Sequence, residues 1–563
     1  MASRFTQLSR AWIIILLLCP TAYFAQNAGS LTGLLDLTGQ YYYEDEDINA
    51  QVPRGVIGMN SYALLNYTNG GFSAGLRYES YLDPLLGYPV EFNGSGIGYR
   101  YVGWQKEGLQ VTAGNFYDQF GSGMLLRTFE ERFLGLDNAF DGIRIAYEPV
   151  EGINLKGLVG KQRFRFEDRL INSDGIVRGF DAEIDLNQLA GPIQVDSSEL
   201  FIRLGGSFVS KFNDDNNIIV FDLPQNVAGY GGRLDLGYKD FRAYAEYTRK
   251  QNDPYPTSGD FNDPFHYNYK DGEALLLNFG YSTKGFALDL TARHMDNMLW
   301  RSTNQAVSPT ALFIGFIPAI TKQHTYNLAS TLYPYATNLY GEVAFNADLI
   351  YKFKRNSPLG GKYGMTATLG FATAYAPERT FLNDSEGARQ GYTTRLFAMT
   401  DSILVRDANI TLEKKLSKKV KAKAMYMNLT FEDRALLVAV KHELIKAHIA
   451  IADVTYKIDK KHAVRIEAQG LWTEQDQGDW AFAQVEFTVS PHWSFTILDQ
   501  YNYGNSEEDK RFHYALGNVT YLKGPHRFSV QYGRQRAGFF CVGGVCRFVP
   551  ASNGFTLGIT SSF

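Results

Sequence analysis

The chain has three cysteines in 563 residues, and it lacks any long apolar run. A membrane helix needs about 20 consecutive apolar residues. The most concentrated run, Ala11 to Cys19, is too short for that, so a helical membrane protein is excluded. Cys19 lies in this run. The other two cysteines, Cys541 and Cys546, bracket Val542-Gly543-Gly544-Val545, which excludes a disulfide-dense scaffold. Proline is sparse, at 18 residues. Net charge is also small: 55 basic against 59 acidic residues leave −4, which argues against a nucleic-acid partner. The common motifs of catalysis are missing as well. There is no G-x-S-x-G and no Walker A. His442-Glu443 opens no H-E-x-x-H, because Lys446 stands where the second His belongs. The nine His are scattered. No catalytic residue, metal ligand or cofactor is expected, and the chain does not read as an enzyme.

What is abundant is 36 Tyr, 39 Phe and 54 Gly at an ordinary mean hydropathy of −0.23. That combination suits a transmembrane β-barrel: half of each strand meets lipid, half meets water, and aromatics ring both interfaces. Arg4 and Arg10 ahead of the apolar Ala11–Cys19 core read as an export signal, with cleavage after Ala25. Residues 1–25 are therefore expected to be a signal peptide and 26–563 a single barrel domain. In an oxidising compartment Cys541 and Cys546, flanking a Gly543-Gly544 turn, read as a disulfide.

The last twelve residues carry the clearest pattern. Phe555, Leu557, Ile559 and Phe563 fall on one face, and Gly554, Thr556, Gly558 and Thr560 on the other. A closing strand that ends on an aromatic reads as the assembly signal of an outer-membrane barrel. Its partners would be outer-membrane lipid, lipopolysaccharide and the barrel assembly machinery. The same period of two recurs from Leu31 onward, with Phe72 to Tyr78, Phe241 to Tyr247 and Val464 to Trp472 among the clearest cases. With alternation starting so close to the cleavage site, no plug domain is expected ahead of the barrel.

Short connections (Asn69-Gly70, Lys239-Asp240, Lys284-Gly285, Lys523-Gly524) alternate with long polar ones (Asp45 to Gly55, Asp118 to Ala139, Asn252 to Asp271, Pro377 to Thr400). Short turns face the periplasm and long loops the outside, so both termini are expected to be periplasmic and the strand number even. The rhythm gives about 26 strands, within roughly 24 to 28, and requires a weak strand within Ala306–Ile320.

The stretch Asn115-Phe116-Tyr117-Asp118-Gln119-Phe120-Gly121-Ser122-Gly123, then Arg127, Glu130-Glu131-Arg132 and Leu134-Gly135-Leu136-Asp137-Asn138, resembles a family of large Bacteroidetes outer-membrane barrels of unknown function, domain of unknown function 6029. Leu359-Gly360-Gly361-Lys362-Tyr363-Gly364 and Cys546-Arg547-Phe548-Val549-Pro550-Ala551-Ser552-Asn553-Gly554 resemble it too. The resemblance implies the fold and the outer-membrane address. It brings no substrate, reaction or site residue.

Two groups of residues are candidates for function. Arg77, Arg203, Arg233, Arg242, Arg293 and Arg465, with Glu79, Asp235, Glu246, Asp289, Asp348 and Glu467, must face inward. There they form either a polar channel wall or a cross-strand ion-pair network. Lys419, Lys421 and Lys423 share one face beside a short turn, where they either draw anions to the periplasmic mouth or solvate the rim. The acidic run Glu44 to Asp47 reads as a solvated loop. The loop Asp118–Ala139 is too rich in apolar residues for an outside loop. It is expected to fold into the lumen, anchored by Phe129, Phe133 and Leu136, with Arg127, Glu130, Glu131 and Arg132 as the constriction. The function expected is a channel or transport pore for polar solutes, with a structural or assembly scaffold as the alternative and an outer-membrane enzyme a distant third.

Overall fold

The computed structural model describes residues 29–89, 91–196, 198–214, 223–256, 267–303, 312–382, 391–432, 443–542 and 545–563. The expected signal peptide, 1–25, lies outside them. From Ser30–Tyr43 to Ser552–Ser562, long strands pair antiparallel with their neighbours in chain order. The main sheet holds 25 strands; one of them, Ile193–Val195, pairs only with Ser198–Phe212, which leaves 24 around the ring. The last strand pairs with both His526–Gln535 and Ser30–Tyr43, so the sheet closes on itself without a free edge.

The ring stands at the lower end of the expected 24 to 28 strands, and no strand of it lies in the described part of Ala306–Ile320. Phe286–Asp296 pairs directly with Gly341–Phe353, from Phe286↔Tyr351 to Asp296↔Gly341. The chain between them turns inward. Residues 306–311 lie outside the described residues. Leu312, Phe313, Ile314, Phe316 and Ile317 are buried inside the barrel. They read as a poor strand because they do not alternate: every face of this segment meets protein, and Pro318 cannot donate to a ladder.

Alternation sorts the wall. Outward positions stay exposed although apolar, as at Leu76, Val102, Ile143, Leu204, Ile466 and Leu557. Aromatics flank the short turns on this face: Phe241 meets Tyr281 at 4.7 Å and Trp493 meets Tyr521 at 4.6 Å between ring centroids. That is the interfacial girdle of a membrane barrel. No helix among the described residues is long and apolar enough to cross a membrane.

The seam is tight. Registers run from Leu34↔Ser562 to Tyr43↔Asn553, and Phe563 exchanges backbone hydrogen bonds with Gly33 at 3.0 and 3.1 Å. The ring of Phe563 lies over Gly33, where an added Cβ would sit 2.2 Å from its Cζ. Phe555, Leu557 and Phe563 face outward, exposed by 45, 44 and 60%, with Ile559 half-buried on the same strand.

Gly33→Val should displace the Phe563 ring and, like Phe563→Asp, reduce the heat-modifiable folded band in membranes. Normal folded levels of both variants would show that the seam tolerates disorder at its last residue.

Candidate functional site in the lumen

A circular ring of 24 strands spaced about 4.8 Å and tilted by roughly 40° has a backbone diameter of about 48 Å. Two long connections fill much of it. The first is the loop from Asp118 to Ala139. Gln119–Phe120 pairs with Leu126–Arg127, and Glu130–Glu131 pairs with Leu136–Asp137 around a 3-10 turn, Arg132–Leu134. Glu131 caps that turn by accepting the Phe133 N–H, and Gly135 ends it at φ 67°, a left-handed conformation that favours glycine. Phe120, Met124, Leu125, Leu126 and Leu134 are buried. Phe129 and Leu136 pack against the cluster that contains Met124 and Phe316. Phe133 does not pack inside: it is 55% exposed, because the turn aims Leu134 at the core and leaves Phe133 facing a cavity.

Ion pairs hold this loop to the wall. Arg77, on Phe72–Leu82, donates to Glu79 at 2.7 Å, to Glu130 at 2.7 Å and to Asp137 at 2.5 Å. Arg163, on Ile153–Glu167, grips Glu79 with two bonds of 2.7 and 2.6 Å and reaches Asp137 at 3.1 Å. Both guanidiniums and Glu79 are buried. Arg132 pairs with Glu130 at 2.9 Å and with Asp36 of the first strand at 3.6 Å. Burial first, and the neighbouring Asp137 second, push the Glu130 carboxyl above its usual value. Arg127 differs. Among the described residues it meets no carboxylate; it stacks 5.0 Å above Phe129, and burial lowers its pKa. Of the four expected constriction residues, then, Glu130 and Arg132 bind the wall, Glu131 caps a turn and Arg127 stacks.

The second filler, described at residues 297–303 and 312–340, carries more buried side chains than the first, and the periodicity of the sequence hides it. It zips onto the first loop: the Arg127 N–H donates to the Ile314 carbonyl at 2.8 Å, and the Phe316 N–H to that of Gly123 at 2.9 Å. Arg293 donates to Glu342 at 2.8 Å and to the Pro318 carbonyl at 2.7 Å, tying the insertion to the strands that flank it. Farther along, His324 meets Asp407 of Met399–Lys415 at 2.6 Å, and Tyr326 donates to Asp453 at 3.1 Å. The short helix Asn327–Thr331 follows, with the Leu328 N–H donating to Gln469 at 2.9 Å. Arg163, Asp137, His324 and Asp407 carry no local motif; only the unpatterned apolar run from Leu312 hints at the insertion.

Most of the expected wall charges form ion pairs, while Glu246 accepts from the Ser122 N–H, Asp289 from Asn278 and Asp348 from Asn346. Arg233 holds Asp181 at 2.8 Å and Glu183 at 3.2 Å, and Arg242 holds Asp235 at 2.6 Å. Arg203, Arg233 and Arg242, with Glu183, Asp235 and the loop's Gly121, line a polar cavity of about 200 Å³. Each of the three lysines has a partner, and only Lys421 meets a carboxylate among the described residues. Lys419 donates to the Ile458 carbonyl at 2.8 Å, Lys421 pairs with Glu413 at 3.0 Å, and Lys423 sits 4.7 Å above the Tyr326 ring. The acidic run is not merely solvated either: buried Asp45 accepts two bonds from Arg534 at 2.7 and 3.0 Å, and Asp47 accepts a third at 2.9 Å. In the last long loop, Gly538–Val542 pairs with Val545–Val549 and sets Cys541 opposite Cys546.

Removing Glu79 leaves two buried guanidiniums to share Asp137, with Glu130 on Arg77 alone. Glu79→Ala should destabilise the folded barrel by about 3–5 kcal/mol. It should also expose Arg127 and Arg132 to trypsin. Urea unfolding in detergent measures the first and limited proteolysis the second. A loss under about 1 kcal/mol with no new cleavage would place the loop's anchorage elsewhere.

Among solved structures the chain is similar to a mutant of the ferric enterobactin receptor (PfeA) from Pseudomonas aeruginosa, at 9% identity and a TM-score of 0.40, covering 96% of this chain and 81% of that one. It is similar to the copper transporter OprC at 10% and 0.40, covering 96% and 81%. It is also similar to the outer membrane protein opdK from Pseudomonas aeruginosa at 10% and 0.37, covering 84% and 100%. These are likenesses of fold and carry nothing about substrate. No curated protein matches. A family model described as a family of unknown function, DUF6029, matches residues 8–563, and the chain belongs to that family.

Proposed function

We propose that this barrel is a transport pore for polar solutes in the outer membrane of a Bacteroidetes cell, narrowed by its own inward loops. The observation that carries the reading is the pair of inserted segments tied to a charged inner wall through Arg77, Arg163 and Arg293. A purely structural barrel has no need to leave polar space beside such loops, yet the Arg203–Arg233–Arg242 wall borders a cavity. Short turns gather at one end of the ring with the first and last residues of the wall, which supports a periplasmic position for both termini. The outward apolar face fits lipid and lipopolysaccharide, and the closing strand ending at Phe563 is the expected handle for the assembly machinery. We assign no reaction. Among the described residues no hydroxyl is hydrogen-bonded to His324, whose ring meets Asp407.

A second reading, a scaffold for a surface or secretion partner, is favoured by how fully the lumen charges are paired. Single-channel recording in planar bilayers separates the two. Discrete stable openings support the pore; a well-folded protein that stays silent supports the scaffold.

Shortening 118–139 should raise conductance or antibiotic sensitivity with the barrel still assembled. Replacing 298–339 by a short turn should raise it further, because the described residues of this segment bury more side chains than 118–139 does. Unchanged permeability in both assembled variants would count against the pore.

Cys541 and Cys546 are proposed to be disulfide-bonded. The ring they close is small, so the stabilisation should be about 2 kcal/mol. Thiol labelling of unreduced, unfolded protein should find no reactive thiol in the mature chain, and two labelled cysteines would refute the bond.

A further inference from the structure

Between the inserted segments and the wall lies a cavity of about 380 Å³. Phe133 of the first loop, Phe540 of the last loop, and Val405, Met427 and Leu429 of the wall give it an apolar side. Thr321, Lys322, Gln323, His324, Ser330 and Thr331 give it a polar one. Its size sits in the lower part of the range for small-molecule sites. An apolar cavity of about 150 Å³ holds benzene, so this one has room for on the order of 12 to 15 non-hydrogen atoms. Phe133 and Phe540 meet edge to face at 5.7 Å, and Phe133, for all its exposure, is held in place by the capped turn beneath it.

The charges at the cavity are not all paired. Lys322 lines it, is exposed, and among the described residues has no carboxylate within ion-pair distance. Asp407 is the one carboxylate in the lining, and both its oxygens are engaged: His324 holds one at 2.6 Å and Asn409 donates to the other at 2.8 Å. Behind the wall of the cavity stands Arg536, which donates to the carbonyl and the hydroxyl of Thr331, both at 2.7 Å. Arg536 is buried, sits 5.8 Å above the Trp480 ring, and feels Asp476 from beyond ion-pair distance. Burial lowers its pKa to about 10, which still leaves it charged at neutral pH. A cation in low dielectric projects its field farther than one in water. The cavity therefore joins an apolar floor to one exposed cation, Lys322, that meets no carboxylate among the described residues.

We infer that this cavity is a binding site for a small amphipathic organic anion, its apolar body against Phe133, Phe540, Met427 and Leu429 and its anionic head at Lys322. A polymer or a simple inorganic anion fits less well: the first exceeds the volume, and the second leaves the aromatic side unfilled. The site uses the same loops as the pore reading but does not require conduction, so equilibrium binding tests it separately.

The test is isothermal titration of the purified, detergent-solubilised full barrel with 3-phenylpropanoate, and with 3-phenylpropanamide as its neutral analogue. The acid should bind saturably and about tenfold or more tightly than the amide, the difference expected for one charge-assisted contact. Lys322→Gln should remove that preference while leaving amide binding unchanged, and Phe133→Ala should weaken both ligands. Lys322 is exposed, so its variant should keep the folded, heat-modifiable band. Equal binding of acid and amide, an unchanged preference in folded Lys322→Gln, or no saturable binding of the acid at millimolar concentration overturns the inference. Silence in planar bilayers alongside acid-selective binding would defeat the pore and leave this site standing.

Discussion

In hydrocarbon a backbone N–H or C=O without a partner costs several kcal/mol, and that single penalty shapes the molecule. Every strand in the bilayer must have two neighbours, so Ser30–Tyr43 must find Ser552–Ser562 across the whole length of the chain. Closure with this many strands sets the diameter. The diameter creates a lumen too wide to leave open, and filling it brings loops into contact with a wall that lipid has already forced to carry its charges inward. The aromatic girdle, the inward arginines and the inserted segments all follow from that order of constraints.

Once the loops enter, the wall charges lose water. A lone guanidinium in such a place would be costly, whereas a pair is close to neutral against an apolar alternative. Arg77 and Arg163 therefore share Glu79 and Asp137, and Arg293 shares Glu342 with the hydroxyl of Tyr335. The forked, planar guanidinium reaches two acceptors at once, which explains why arginine rather than lysine ties the loops at these points. Such networks add little net stability for the burial they need. What they add is register: Glu130 and Asp137 reach Arg77 together only when the hairpin Glu130–Glu131 with Leu136–Asp137 is formed.

The wall is legible in the sequence because a strand between lipid and water leaves a period of two, and short turns leave Gly, Asn and Lys at regular places. Alternation of the kind that runs from Val464 to Trp472 is absent from the filler, however, and for a physical reason: Phe313, Ile314 and Phe316 are surrounded by protein on all sides. Only the count of connections speaks for a strand there, and a count carries no information about which face meets lipid. Within Asp118–Ala139 the composition reveals an inward loop but not which apolar residue turns away, since one 3-10 turn decides between Phe133 and Leu134. Lys423 illustrates the same limit. Its face of the strand is readable, but its partner, Tyr326, arrives from a distant segment of the chain.

The inserted segment 297–340 sits near the middle of the wall in chain order, with roughly half of the strands before it and half after. It binds both halves: the Phe313 carbonyl accepts from Gln162 on the earlier side, while Tyr326 and Leu328 bond Asp453 and Gln469 on the later side. Held from both sides, the insertion works as a strut: it sets the distance between two arcs of the wall that no strand pairing connects, so the ring is braced from within as well as hooped by its own hydrogen bonds.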